Sequence, residues 1–289
     1  MTQVLLEKVL SSQAPSGAFY ATVMHLGKQF QDENGFVTCL ILRELAKISR
    51  NREVDVAIEK GLDFLGRCAN HQQPNAFHFY PPDQKPNGLA WGKVPRADDT
   101  ALFTMALVKH GYMTYEEGNR VVDEVLDPHR LENLPESISP WIHQGSYKTW
   151  LDANRCPNRV DCCVNANIAA LLKMMGREDH SGYQAAVATV VDGVRHAVRS
   201  PSMTTFLSPY HPDPCEMVHA MARAAEMGVV EFEKPLLHLA QSRLKPMRRR
   251  SGLKPICGSG DGKTLWFSHT LQVARNMTRF NGMPMATSA

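Results

Sequence analysis

The sequence lacks the features that mark several common classes of protein. Its 289 residues contain no apolar run near the roughly 20 residues that span a bilayer. Aromatic residues make up only 8%, and a net charge of +3 is too small to indicate nucleic-acid binding. Charged Glu7 and Lys8 interrupt the first apolar stretch, so no signal peptide is predicted. We therefore expect a soluble, cytoplasmic protein without a nucleic-acid partner.

Familiar catalytic motifs are also missing. The seven cysteines form no CxxC pair, which removes the usual signature of zinc ribbons and thioredoxin-type sites. The HExxH, GxSxG, GxGxxG and Walker A patterns are absent as well, which argues against zinc-protease, serine-hydrolase, dinucleotide-binding and P-loop functions. A DDxxD cluster, the signature of magnesium-dependent diphosphate ionisation, does not occur. Any chemistry must come from a less common arrangement of side chains.

Helical signals, in contrast, recur along the whole chain, and no sustained alternation of apolar and polar residues predicts strands. Nearly all-apolar helices are predicted at 35–45, 98–108, 164–175, 213–227 and 261–280. Glycine follows the last four of these, at intervals of 65, 52 and 54 residues, which indicates a degenerate repeat. More amphipathic helices are predicted at 2–12, 16–30, 53–69, 114–126, 180–199 and 229–244.

This alternation of buried and amphipathic helices predicts a fold made of two concentric rings. We expect an all-α protein, an α/α toroid of about six helical hairpins, forming a single domain over residues 1–289. An open solenoid of helical pairs has the same periodicity and remains the alternative. The long loops 71–97, 128–160 and 200–212 each precede a buried helix, so they should gather at one mouth of the barrel. The N-termini of the inner helices, with their positive dipole ends, converge there.

Two adjacent carboxylates, Asp98 and Asp99, begin one of the apolar helices. One interpretation is helix capping, since acidic side chains stabilise a helix N-terminus. The other is catalysis, because neighbouring carboxylates in an apolar cavity resist double ionisation and one of them keeps its proton. Such a protonated aspartate can serve as a general acid.

The segment Asp98-Asp99-Thr100-Ala101 resembles the acid motif of squalene-hopene and related class II terpene cyclases, whose pattern is Asp-x-Asp-Asp-Thr-Ala. Arg96 stands where that family has its first aspartate. The resemblance implies an α/α toroid in which Asp98 donates a proton to an isoprenoid and Asp99 supports it. It also implies aromatic side chains that stabilise the substrate cation. The candidates for that role are Phe79, Trp91, Trp141, Trp150 and Trp266.

A second polar group begins the next buried helix. Asp161 and Asn165 share one helical face, so they either cap and anchor the helix or bind a polar group of the substrate. The Asp161-Cys162-Cys163 segment and the later His269 are also similar to protein prenyltransferase β-subunits, which implies a zinc site formed by Asp161, Cys163 and His269. His211 and His269 are further candidates for substrate binding because they precede or begin inner helices.

These observations predict a terpene-cyclase-like enzyme of secondary metabolism that needs no cofactor and uses Asp98, Asp99 and Asp161 as catalytic residues. The alternatives are a toroidal lyase, hydrolase or isomerase acting on a polar substrate, a zinc-dependent prenyltransferase-like enzyme, and a non-enzymatic binding module. The basic segment Arg248–Arg250 is either a solvated loop or a contact with an anionic membrane surface. The cavity should be closed by its own long loops or by a homodimer.

Overall fold

The computed structural model describes residues 2–48, 51–73, 75–84, 94–134, 138–155, 157–199, 204–211, 213–241, 254–259 and 263–279. The α-helices are α1 Thr2–Leu10, α2 Gly35–Leu45, α3 Arg52–Arg67, α4 Ala97–Lys109, α5 Tyr115–Arg120, α6 Cys162–Met174, α7 Ser181–Arg199, α8 Thr204–Leu207, α9 Pro214–Glu226, α10 Glu233–Gln241 and α11 His269–Arg279. A π-helix at Val121–Leu126 and 3-10 turns at Asp127–His129 and Val230–Phe232 complete the helical elements. The strands are β1 Tyr20–His25, β2 Lys28–Glu33, β3 Cys257–Gly258 and β4 Thr264–Phe267.

The helices form the predicted α/α toroid. In the inner ring α11 packs against α2, α2 against α4, α4 against α6 and α6 against α9. The ring closes between α9 and α11, where the Arg275 guanidinium donates to both carboxylate oxygens of Glu216, at 2.6 and 2.8 Å. The outer helices α1, α5, α7 and α10 pack against α11, α4, α6 and α9, and α3 packs mainly against α2 and also contacts α4. The described part of the chain thus contains five helix pairs rather than about six.

The ends of the inner helices follow the glycine pattern. Gly111 and Gly176, just beyond α4 and α6, have φ angles of 77° and 70°. An L-residue with a side chain rarely adopts this left-handed conformation, whereas glycine enters it without steric cost. The fourth and last glycine of the series, Gly282, lies outside the described residues.

The prediction that strands are absent was wrong in two segments. Residues 16–30, expected to be helical, contain β1 and the start of β2, which meet at a turn where Leu26 and Gly27 have φ angles of 48° and 78°. Two consecutive positive φ angles are typical of the turn that matches the twist of a tight β-hairpin. The expected helix 261–280 also divides, because Thr264–Phe267 pairs with β1 and only the part from His269 is helical. The resulting antiparallel sheet has the order β2-β1-β4-β3.

Helix α4 lies between two apolar clusters of the core. Leu102 and Phe103 pack into a cluster with α2, α3, α11 and the sheet, whereas Ala101 and Val108 pack into a cluster with α6, α7 and α9. Because α4 is covered on both sides, even its first turn is buried. Among the described helices, none is long and apolar enough to cross a membrane.

Candidate active site

The first turn of α4 carries two carboxylates that do not act as caps. The N-cap position belongs to Arg96, whose side chain makes no capping hydrogen bond. Asp98 and Asp99 are both fully buried, and their carboxylate oxygens have no hydrogen-bond partner among the described residues. Burying an unsatisfied polar atom costs about 1–3 kcal/mol, and more when it is charged. The arrangement therefore does not serve the stability of the helix, and a chemical role explains it better.

Arg96 provides the opposite charge. Its Nε atom lies 3.4 Å from Oδ1 of Asp98 and 3.9 Å from Oδ2 of Asp99, and the side chain is 2% exposed. Burial raises the pKa of Asp99 well above its usual range, the charge of Asp98 adds to this effect, and Arg96 opposes it. Burial therefore favours the protonated form of Asp99.

His211 joins Asp98 to the second acidic helix start. Its Nε2 atom lies 3.5 Å from Oδ2 of Asp98, and its Nδ1 atom lies 3.4 Å from Oδ2 of Asp161. The imidazole is buried and its ring centre is 5.8 Å from that of Phe36. Each ring nitrogen thus faces a carboxylate, which makes His211 the link between the starts of α4 and α6.

Asp161 is a helix cap and a member of the site at once. Its Oδ1 atom accepts hydrogen bonds from the backbone N–H groups of Cys163 and Val164, at 2.7 and 3.2 Å. Its Oδ2 atom accepts from the Tyr210 N–H at 3.1 Å and faces His211. Burial opposes ionisation, but the positive charge of His211 and these hydrogen bonds together lower the pKa of Asp161. Asp161 is therefore ionised and fixed in position.

Asn165, predicted from its place on the same helical face, is engaged by the protein itself. Its side-chain amide accepts from the Tyr147 N–H at 2.9 Å and donates to the Tyr147 carbonyl at 3.0 Å. It also donates to the Asp161 carbonyl at 3.0 Å. These hydrogen bonds anchor the preceding loop to α6. The first of the two roles predicted for Asn165, anchoring the helix, therefore accounts for its contacts.

The five predicted aromatic residues have different surroundings. The rings of Phe79 and Trp150 lie 5.6 and 5.2 Å from the Arg96 guanidinium. Trp266 packs edge-on against Phe79 at 5.1 Å. Trp141 contacts His196 of α7 instead. Trp91 lies outside the described residues.

The predicted zinc ligands are brought together only in part. His269 is exposed at the start of α11, and His211 stands in its place, with one donor atom each of Asp161, Cys163 and His211 within 4.8 Å of one another. Their donor atoms are already used, however: both oxygens of Asp161 accept hydrogen bonds, and the Ser208 hydroxyl donates to the Cys163 sulfur at 3.2 Å. Burial also raises the pKa of the Cys163 thiol well above its usual range. This donor set fits zinc poorly, and we derive no step through a metal.

A hydrogen-bonded group beside the aromatic residues was not predicted. Asp32, at the end of β2, accepts from the Tyr80 hydroxyl at 3.0 Å and from the Asn34 amide at 2.7 Å. The Trp266 indole N–H donates to the Tyr80 oxygen at 3.0 Å. Burial raises the pKa of Asp32 to about 6, against the opposing effect of these hydrogen bonds. The only signal in the sequence was an acidic residue two positions before the Asn34 cap.

The remaining predictions concern surfaces. The basic segment Arg248–Arg250 lies outside the described residues, so its proposed membrane contact stays a prediction, as does the homodimer. Among the other histidines, His143 lies at the surface, where its Nε2 atom is 2.9 Å from an oxygen of Asp192.

No known family model and no curated protein sequence matches the chain. Its fold, however, is similar to that of solved structures. A sugar epimerase from a ruminal bacterium aligns over 96% of this chain and 83% of its own, with a TM-score of 0.51 and 10% identity. A D-mannose isomerase aligns over 91% and 75%, with a TM-score of 0.51 and 12% identity. The type II terpene cyclase MstE from Scytonema aligns over 97% of both chains, with a TM-score of 0.46 and 13% identity. The first two likenesses show that the chain has the fold of these toroidal proteins.

Proposed function

We propose that the chain is an α/α-toroid enzyme that isomerises a small polar molecule by moving a proton. The single observation that carries the proposal is the position of His211 between the carboxylates of Asp98 and Asp161, in a buried site at the N-termini of two inner helices. A histidine held by one carboxylate and directed at a second group is a recurring arrangement for general acid–base catalysis.

The two carboxylates have different tasks in this proposal. Asp161 is held by four hydrogen-bonding contacts, so it fixes the orientation of the imidazole through Nδ1. The Nε2 side of His211 is then the side that exchanges a proton with the substrate, and Asp98 accepts or returns that proton. The 3.4 and 3.5 Å separations are longer than strong hydrogen bonds, as is common before a substrate tightens such a site.

The charge of the site favours a polar substrate. Arg96 is buried beside both aspartates, and its cation stabilises the ionised form of a carboxylate rather than the protonated form. The rings of Phe79 and Trp150 already face this guanidinium. They are therefore less free to stabilise a carbocation than the aromatic lining of a cyclase must be.

The names of two structural neighbours suggest the substrate class to test first. One is a sugar epimerase and the other a D-mannose isomerase. Aldose–ketose isomerisation and epimerisation both begin with removal of the proton on the carbon beside the carbonyl. In D2O, epimerisation at that carbon leaves deuterium on it, whereas isomerisation of an aldose to a ketose makes it the carbonyl carbon and leaves deuterium on the former carbonyl carbon. Both reactions therefore remove the proton signal of the carbon beside the carbonyl, and loss of this signal is a suitable assay for a panel of sugars.

To test this function, the purified protein is incubated in D2O with D-mannose and a panel of other aldoses and ketoses, and each reaction is monitored by proton NMR. We expect enzyme-dependent loss of the signal of the proton on the carbon beside the carbonyl. His211→Gln and Asp98→Asn should each lower the exchange rate by about 10²–10⁴-fold, the usual contribution of a general acid or base. His143→Gln, which removes an exposed histidine–aspartate pair, is the matched control and should exchange like the unaltered protein.

Two outcomes would contradict this function. One is the absence of exchange with every sugar of the panel. The other is exchange by folded His211→Gln at the rate of the unaltered protein, with folding verified by thermal melting. Either would remove the proton relay from the proposal.

A second candidate is the predicted cyclisation of an apolar isoprenoid, and the raised pKa of the buried Asp99 favours it. Asp99 would supply the proton in this reaction, because burial favours its protonated form. Incubation with squalene and with geranylgeranyl diphosphate, followed by gas chromatography and mass spectrometry, tests this reaction. A cyclic product that Asp99→Asn abolishes would support it, and unchanged substrate in both incubations would reject it.

A further inference from the structure

The opposite end of the barrel contains a pocket, formed where α2, α4, α6 and α9 end. Its volume is about 600 Å³ including the open mouth. Eleven residues of α4 separate Asp98 from Lys109, so the two ends lie about 16 Å apart along the helix axis.

The wall of this pocket is apolar and adaptable. The side chains that form most of it are Leu42, Leu102, Met105, Ala106, Met174 and Met227. Methionine is flexible and polarisable, and it adapts its shape to irregular apolar ligands. Such a wall fits the flexible alkyl chain of an apolar ligand.

Two cations of the pocket, Arg223 and Lys109, form no close ion pair with an acid of the described chain, although Glu216 attracts Arg223 and Glu226 attracts Lys109 from a greater distance. Arg43 and Lys47 form ion pairs with Glu44 and Glu226, so these four charges balance one another.

Arg223 is the stronger indication of a ligand. It is 7% exposed, one Nη atom donates to the side-chain Oδ1 atom of Asn167 at 3.1 Å, and its Nε–H has no partner among the described residues. Burial lowers its pKa to about 10, and the charges of Arg43 and Arg275 add to this effect.

The position of Lys109 at the end of a helix explains its charge, but the same reason does not explain the buried charge of Arg223. A lysine in the last turn of a helix stabilises the negative end of the helix dipole. An arginine that is more than nine-tenths buried, with an unsatisfied donor and no paired acid in the described chain, gains little from that effect and bears a desolvation cost. A bound anion would supply the missing acceptor and the missing charge.

We propose that this pocket binds a straight-chain carboxylate, with its carboxylate group at Arg223 and Lys109 and its alkyl chain along the methionine-lined wall. Such a ligand would satisfy the Arg223 donor, bring one negative charge to the two cations and occupy the apolar space. This binding site is separate from the proton relay and does not depend on its chemistry.

Isothermal titration calorimetry with octanoate tests the proposal, with octylammonium and acetate as comparison ligands. Octanoate should bind, and both comparison ligands should bind at least tenfold more weakly, because one has the wrong charge and the other lacks the chain. Arg223→Met should weaken octanoate binding at least tenfold, and Ala106→Phe should weaken it by filling the pocket. Lys28→Met, which removes an exposed cation from the β1–β2 hairpin, should bind octanoate like the unaltered protein.

Lys109→Met keeps the test decisive if either buried variant fails to fold, because Lys109 is exposed. It should weaken octanoate binding severalfold. The proposal is overturned if octanoate does not bind, if octylammonium binds equally well, or if folded Arg223→Met and Lys109→Met both retain full affinity. His211→Gln should bind octanoate normally, which separates this result from that of the sugar-exchange assay.

Discussion

Replacing Asp32 with asparagine should remove a pH dependence of stability that the fold imposes. Asp32 is 4% exposed and hydrogen-bonded to Tyr80 and Asn34, and burial raises its pKa from 3.8 to about 6. Asparagine has nearly the same shape and can still accept one of these hydrogen bonds, but it has no charge to bury. The comparison therefore isolates the cost of ionising this one carboxyl group.

The direction follows from the two pKa values. Because the pKa is higher in the folded state, the folded protein binds more protons than the unfolded chain between about pH 4 and 6. The associated stability is fully present below the unfolded pKa and is lost as the pH rises through the folded value. A difference of about two pKa units corresponds to about 3 kcal/mol in the free energy of unfolding. The loss is complete near pH 7.

Urea denaturation of both proteins at several pH values between 4 and 8 measures this difference. The free energy of unfolding of the unaltered protein, relative to Asp32→Asn, should fall by about 3 kcal/mol over this range. The exposed Asp83→Asn is the matched control and should follow the unaltered protein at every pH. Parallel curves for Asp32→Asn and the unaltered protein would refute the assignment of this titration to Asp32.

Three further predictions concern the site and the helix ends. Arg96→Met leaves two buried carboxylates without their cation, so the free energy of unfolding in urea should fall by about 3–5 kcal/mol at pH 7, and by less at pH 4. Gly176→Ala should destabilise the protein by about 1 kcal/mol, because the φ angle of Gly176 is 70°. Gly66→Ala should stabilise it by about 0.5–1 kcal/mol, because Gly66 lies inside α3 and a methyl group there would be equally uncrowded. Equal melting temperatures of the two variants would contradict this prediction. Treatment with EDTA should leave the melting temperature unchanged. A stoichiometric zinc ion bound through Cys163 and His211 would contradict the conclusion that this donor set fits zinc poorly.

The inner ring could be predicted because its helices are apolar on nearly all sides. Helices α4 and α6 begin within two residues of their predicted positions, at Ala97 and Cys162, since a buried helix between acidic start and terminal glycine is defined by local residues alone. The sheet could not be predicted in the same way. Strand β4 has four residues and pairs with β1, more than 230 positions earlier, so its partner is set by the closed ring and not by its own pattern.

The sequence could identify site residues that begin a buried helix, but it could not identify those brought together only by tertiary packing. Asp98 and Asp161 could be found because each begins a buried helix. His211 was one of several candidates among twelve histidines, and only the packing of residues 208–211 against the start of α6 places it between two carboxylates. Asp32 was missed because its partner Tyr80 is 48 residues away, and the raised pKa arises from burial that no local pattern shows.

Arg96 is the residue that separates this site from that of the cyclases it resembles. A strong Brønsted acid needs surroundings that disfavour the carboxylate, and a buried guanidinium 3.4 Å from Asp98 favours it instead. The same guanidinium lies against the rings of Phe79 and Trp150, which in a cyclase would face the substrate cation. The presence of Arg96 thus changes both the charge beside Asp98 and the surroundings of the aromatic residues. The proposed proton exchange with a polar substrate through His211 is compatible with both changes.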